Sequence, residues 1–180
     1  AFSATKNNDK VGLILFSDNV ELYIPPKKGK SHVLRIIREL LEFKSKSLRT
    51  DINVPLKYIS NILKNRSIVF IISDFMSKEY SNSLKIFSSR HDVTGVRIFD
   101  KNEEIIPNLG VIDIKDNETG ERLTINTSSK NIRKKYAKYY SLMRNEFISH
   151  FKKSGSGIIE CSTDDDYQKK LLKYFKSRWN

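Results

Sequence analysis

At 180 residues, 38% hydrophobic and 30% charged, the chain is long enough for one domain with a sizeable core and too apolar to be a disordered tail. No apolar run approaches the roughly 20 residues that cross a bilayer, no signal peptide is visible, and the single cysteine, Cys161, excludes an internal disulfide or a cysteine zinc site. The formal net charge of +12 admits nucleic acid, an anionic membrane or an acidic partner, but the basic residues are spread along the chain, as on a solvated surface.

Residues 1–8 read as the last turns of a helix whose beginning is absent. The run Val11-Gly12-Leu13-Ile14-Leu15-Phe16 carries no charge and reads as a strand buried on both faces. Ser17-Asp18-Asn19 is suited to a tight hairpin, and the alternating Val20 to Ile24, stopped by Pro25-Pro26, reads as an antiparallel edge strand. Ser31 is placed to cap a helix whose Val33, Leu34, Ile37, Leu40 and Leu41 recur at helical spacing. A polar loop, Lys44 to Asp51, precedes a helix from Asn53 to Lys64 with Pro55 in its first turn. Ser67-Ile68-Val69-Phe70-Ile71-Ile72 is the second uncharged run and reads as the central strand of a parallel sheet, ending at Ser73-Asp74. A helix from about Ser77 to Arg90 and a strand over Asp92 to Phe99 follow.

From Asp100 the pattern changes. Val111 to Ile114 and Arg122 to Ile125 flank the turn-rich Asp116-Asn117-Glu118-Thr119-Gly120, which predicts a small hairpin inserted at the sheet's edge. The longest helix is expected over Ser129 to Lys153, with Ile132, Tyr136, Tyr140, Met143, Phe147 and Phe151 as its buried stripe. Gly157 to Cys161 is the last strand, and Ser162 or Thr163 caps a final helix through Trp179 with Asp164, Asp165 and Asp166 in its first turn. Strands alternating with helices predict an α/β, Rossmann-like three-layer domain with a mostly parallel sheet and one antiparallel edge strand. The expectation is one domain over 1–180, divided into 1–99, an inserted hairpin at 100–127 and a helix-strand-helix tail at 128–180.

Thr50 and Asp74 form the pair of chemical interest. Both are expected in loops leaving the carboxyl end of the sheet, where open α/β sheets bind ligands. A hydroxyl and a carboxylate are hard oxygen donors suited to Mg²⁺ or Mn²⁺, but two oxygens are not an octahedral site. Helix capping is the alternative role for both.

Three segments resemble a von Willebrand factor A domain: Asp9 to Ser17 as its second strand, Arg49-Thr50-Asp51 as its threonine loop, and Ile71-Ile72-Ser73-Asp74-Phe75 as its fourth strand and aspartate loop. More narrowly, Tyr23 to Leu40 and Arg90-His91-Asp92-Val93 resemble the bacterial "domain of unknown function fifty-eight" family, whose members are typically encoded beside MoxR-type AAA+ ATPases. The resemblance implies a metal-ion-dependent adhesion site, with Thr50 a direct ligand and Asp74 acting through water. The family's Asp-x-Ser-x-Ser loop has no counterpart in the chain, and it would lie before Ala1 together with the sheet's first, central strand. The implied metal, Mg²⁺ or Mn²⁺, is therefore expected only where that loop is present. With one cysteine, the cytoplasm is the default compartment expected for the chain. The implied role is a non-enzymatic interaction or scaffold module that meets a protein partner, a MoxR-type ATPase first among them, through Thr50, Asp51, Asp74 and Phe75. In the family's order the second and fourth strands flank the first. Without it, Val11 to Phe16 either pairs directly with Ile68 to Ile72 or leaves a gap for another chain.

The rival signal is the basic helix. Lys130, Arg133, Lys134, Lys135 and Lys138 interleave with Tyr136, Tyr139 and Tyr140, as in surfaces that track a nucleic-acid backbone while bases stack on rings. Tyr136 and Tyr140 also fall on the apolar stripe, which favours core packing and a solvated charged face. The three consecutive aspartates point different ways on a helix, and His32, His91 and His150 lack metal spacing. Gly155-Ser156-Gly157 precedes a strand, whereas a phosphate cradle follows one. No acidic pair supports a receiver-type phospho-acceptor at Asp74, and no Ser-His-Asp motif is visible.

Overall fold

The three uncharged or nearly uncharged runs rich in β-branched residues become strands, and the segments with helical periodicity become the helices around them. The structure is a computed structural model and describes residues 6–77, 79–115, 120 and 122–178. In chain order the elements are β1 (Val11–Phe16), β2 (Val20–Lys27), α1 (Lys30–Glu42), α2 (Asn53–Ile62), β3 (Ile68–Ser73), α3 (Ser81–Ser88), β4 (Asp92–Phe99), β5 (Val111–Lys115), β6 (Arg122–Asn126), α4 (Lys130–Lys153), β7 (Gly157–Ser162) and α5 (Tyr167–Arg178). The expected helix over residues 1–5 and the turn at 116–119 lie outside the described residues.

The heart of the molecule is a parallel three-stranded sheet in the order β3-β4-β7. Successive side chains on a strand point to opposite faces. Val93 of β4 and Ile71 of β3 therefore meet Ile52 at the entry to α2, Leu56 of α2, Leu84 and Phe87 of α3, and Phe147 and Phe151 of α4 in the main core. Val96, Ile159 and Cys161 face the other way, onto Leu171 and Tyr174 of α5. Each fully buried apolar side chain contributes on the order of 1.5–3 kcal/mol. Gly95 lets α4 approach the sheet: a Cβ there would stand 2.5 Å from Phe151 Cε1 and 2.8 Å from Phe147 Cε2. The α/β class read from the sequence is the class observed.

Several details differ from the sequence reading, each for a physical reason. β2 continues through Pro25 and Pro26 to Lys27, because the ladder with β1 shifts register between Val11 and Leu13 and asks no paired N–H of either proline. Helix α1 starts at Lys30, so Ser31 lies inside it, and Gly29 at φ 101° forms the entry with no side-chain cap. Its buried residues are Val33 and Ile36, whereas Leu34, Leu40 and Leu41 are exposed. Helix α3 starts at Ser81 rather than near Ser77, because Ser77 is held by the loop before α2. The aspartates precede α5 instead of sitting in its first turn: Asp166 Oδ1 accepts the Lys169 N–H at 3.0 Å, and Asp165 Oδ2 accepts from Ser162 N and pairs with Lys170 Nζ. β5 and β6 form their own two-stranded sheet and do not extend the main one.

The largest departure concerns β3. Read as buried on both faces, it is covered on only one. Ile68, Phe70 and Ile72 are 63%, 40% and 61% exposed, and the ring of Phe175 of α5 lies 6.0 Å from that of Phe70. Of the two pairings left open by the sequence, β1 does not bond to β3. Among the described residues β1 pairs with β2 alone, and β3 with β4 alone.

Candidate functional site at the carboxyl ends of the strands

Three loops converge where β1 and β3 end. The Asp51 N–H donates to the Ser17 carbonyl at 3.1 Å, joining the loop before α2 to the turn after β1. Ser77 Oγ accepts the Ile52 N–H at 3.5 Å and donates to the Thr50 carbonyl at 3.4 Å, joining that loop to the one after β3. Asn53 extends the tie, with Nδ2 donating to the Glu79 carbonyl at 2.9 Å and Oδ1 accepting from Ser83 Oγ at 2.7 Å. The sequence placed Thr50 and Asp74 at one end of the sheet, and these backbone contacts bring their loops together there.

Glu21, which sequence reasoning passed over, organises the approach to Thr50. Its carboxylate accepts from Ser45 Oγ at 2.7 Å, from Lys46 N at 3.0 Å and from Ser47 N at 3.3 Å. The Ser45 hydroxyl and the Lys46 amide hold its pKa down at about 2. Asp18 is likewise lowered, chiefly by the Ser47 hydroxyl. A lone acid on an edge strand followed by a Ser/Lys-rich loop was the available signal, but the residues are 24 to 26 positions apart.

The individual candidates differ in what they present. Thr50 is half-buried. Asp51 is occupied locally: its Oδ1 accepts the Asn53 N–H at 2.9 Å and Asn53 Nδ2 at 3.0 Å, a side-chain turn leading into α2. Asp74 is exposed, and its Oδ1 accepts from Met76 N at 3.1 Å and Ser73 Oγ at 3.3 Å. Phe75 follows with φ 59°, the left-handed region that costs a residue with a Cβ about 1–2 kcal/mol. Its ring is 2% exposed and packs 4.4 Å from Phe147 and 5.3 Å from Phe151, so it serves the core and anchors Asp74 rather than facing a partner.

The hard oxygen donors present fall short of a complete metal site. An octahedral ion needs more than a threonine hydroxyl and a carboxylate whose Oδ1 already accepts two hydrogen bonds. Among the described residues no group of three His, Cys, Asp or Glu is arranged to hold an ion.

The basic helix α4 offers Lys130, Lys134, Lys135 and Lys138 to solvent, while Arg133 Nη1 donates to the Thr127 carbonyl at 2.5 Å. Its aromatic rings are engaged. Tyr136 Oη donates to the Glu103 carbonyl at 2.8 Å, and Tyr140 is buried with the Arg97 guanidinium 5.2 Å from its ring centre. Tyr139 alone of the three is exposed. Cys161 is buried and its thiol is pushed up by that burial, which leaves it a small core residue.

Comparison with known proteins bears on the chain as a whole. The structure is similar, at TM-score 0.55 and 16% identity, to the conserved hypothetical protein BatB of Bacteroides thetaiotaomicron, over 94% of this chain and 79% of that one. It is equally similar, at TM-score 0.55 and 16% identity, to a Bacteroides fragilis protein described as an aerotolerance-related membrane protein, over 94% of this chain and 80% of that one. At such identity these likenesses speak to the fold. Among the described residues no helix is long and apolar enough to cross a membrane. An uncharacterised protein of Mycobacterium tuberculosis is 19% identical over 98% of this chain, which spans only 56% of that relative's length. An uncharacterised Mycobacterium avium protein is 22% identical over 86% of this chain and 93% of its own. The model of the family described as "Protein of unknown function DUF58" matches residues 1–146, and the chain belongs to that family.

Proposed function

We propose that this chain is a non-enzymatic interaction module whose partner-facing end is the convergence of the three loops carrying Ser17, Thr50 and Asp74. The observation that carries the reading is the exposed Asp74 carboxylate on a loop held rigid from below by Phe75 and from the side by Ser77. Preorganised loops at the carboxyl ends of strands are where open α/β sheets recognise ligands. No step of bond making or breaking is assigned to these residues. A divalent ion would strengthen docking only where further oxygen donors join Thr50 and Asp74.

The first partner to test is a MoxR-type AAA+ ATPase, on the strength of the family resemblance. The test is calorimetric titration of that ATPase into the chain and into its Asp74→Ala and Thr50→Ala variants, with circular dichroism as a folding control. Binding weakened at least tenfold by either variant, with the fold intact, is the expected result. Equal binding by all three would refute the assignment of this end. The nucleic-acid alternative predicts instead that Lys134→Glu with Lys135→Glu abolishes a strongly salt-dependent affinity for single-stranded nucleic acid.

A further inference from the structure

We infer that the outward ridge of α1, with the loop that follows it, is a peripheral docking surface for an anionic lipid bilayer. This is independent of the partner-facing end proposed above. Three observations carry it.

The first is leucine shown to solvent on a side of α1 that the fold does not use. Val33 and Ile36 are the residues this helix buries. Leu34 and Leu41 are 50% and 81% exposed. Seven residues apart, they project within about 20° of one another along one ridge. Leu40 is 49% exposed, and Leu48, 69% exposed, follows in the next loop. That loop is fixed to β2, because the Glu21 carboxylate accepts from Ser45 Oγ at 2.7 Å and from the Lys46 amide at 3.0 Å. A single exposed leucine is ordinary, whereas an aligned pair with two more beside it in sequence marks an interaction surface.

The second is charge. From Lys27 to Arg49, eight lysines and arginines stand against Glu39 and Glu42, so this short segment carries half of the chain's net +12. All eight are exposed. Among the described residues only Arg35 of the eight has a carboxylate within salt-bridge reach, Glu39 at 3.9 Å. Arg38 sits one helical turn from both Leu34 and Leu41, so charge and apolar surface share one ridge.

The third is that the two features together select the occupant. Leucines enter the boundary between headgroups and acyl chains, while Lys and Arg meet the lipid phosphates and lay their aliphatic stems alongside. At 13 residues α1 is about 20 Å long and lies along such an interface. Its outer face is a convex ridge. A bilayer moulds around it, whereas a folded acidic protein must supply a matching groove. Nucleic acid would meet the charge but gain nothing from leucine, which offers no flat face to a base.

The experiment is flotation of the 180-residue chain with vesicles of phosphatidylcholine alone and of phosphatidylcholine mixed with phosphatidylglycerol. Binding to the mixed vesicles is expected, and at least about tenfold weaker binding to the neutral ones. Raising salt from about 0.1 M to about 1 M shortens the Debye length from about 10 Å to about 3 Å and should release most of the chain. Leu34→Ser with Leu41→Ser should weaken binding at least about tenfold, with the thermal melt unmoved because both side chains are already exposed. Lys44→Glu with Lys46→Glu should weaken it as much, whereas the same charge change at Lys57 of α2 and Lys85 of α3 should cost less than about threefold. No binding to the anionic vesicles overturns the inference and leaves the ridge to an acidic protein. Full binding by the leucine variant overturns it as well, since charge alone would then account for the attraction. So does an equal loss from the Lys57 and Lys85 pair, which would spread the effect over the whole surface.

Discussion

Replacing Phe75 separates what its ring contributes from what its backbone costs. The ring is 2% exposed against Phe147, Phe151 and Tyr80, and truncating such a core phenylalanine to alanine removes about 3–5 kcal/mol. That is a large share of the 5–15 kcal/mol typical of a domain. The backbone contribution has the opposite sign. At φ 59° a Cβ costs about 1–2 kcal/mol, which alanine keeps and glycine does not. Glycine's extra freedom in the unfolded chain costs about 0.5–1 kcal/mol. Phe75→Gly is therefore expected to be as stable as Phe75→Ala, or more stable by up to about 1.5 kcal/mol, reversing the usual order. Urea unfolding followed by circular dichroism, with equal slopes required, measures both. A loss under about 1 kcal/mol for Phe75→Ala would refute the anchoring role. Phe75→Gly falling about 1 kcal/mol below Phe75→Ala would refute the left-handed backbone.

Gly95→Ala forces a methyl against the rings of Phe151 and Phe147 and should cost about 1–3 kcal/mol, or roughly 2–4 °C of melting temperature per kcal/mol. An unchanged thermal melt would show that α4 does not lie against β4 there. Glu160 accepts from Arg144 Nε at 2.7 Å and lies 3.4 Å from Nη1 of Arg97, whose side chain is only 2% exposed. Arg144, chiefly through its hydrogen bond, holds the Glu160 carboxyl below its ordinary 4.5. A carboxyl with a depressed folded-state pKa contributes stability above its unfolded value and loses it as pH falls through the folded one. Stability should therefore drop in acid below about pH 4.5, and Glu160→Gln should lower the neutral-pH plateau by up to about 3 kcal/mol while flattening that acid limb. Parallel acid limbs in stability curves of the two proteins would contradict the pairing.

Much of this molecule was legible one segment at a time. The runs Val11 to Phe16 and Ile68 to Ile72 announced strands, and the stripe through Tyr140, Phe147 and Phe151 announced the helix that closes the core. Local periodicity reports such elements because it arises from backbone geometry within a few residues. Thr50 and Asp74 were legible as residue types at the ends of those elements. What joins their loops was not, since Asp51–Ser17, Ser77–Thr50 and the Glu21 clasp link positions tens of residues apart.

Local pattern along the chain was enough for the α/β class, the order of strands and helices, and the end of the sheet at which Thr50 and Asp74 emerge. Three-dimensional packing set the inward face of Phe75, the passage of β2 through its prolines, and the separation of β1 and β3 into two sheets that do not bond to each other. A strand's pattern states how much apolar surface it carries, but the neighbour that covers that surface is chosen by packing in three dimensions. Ile68, Phe70 and Ile72 have the composition of a fully buried strand, yet no described element covers most of their surface.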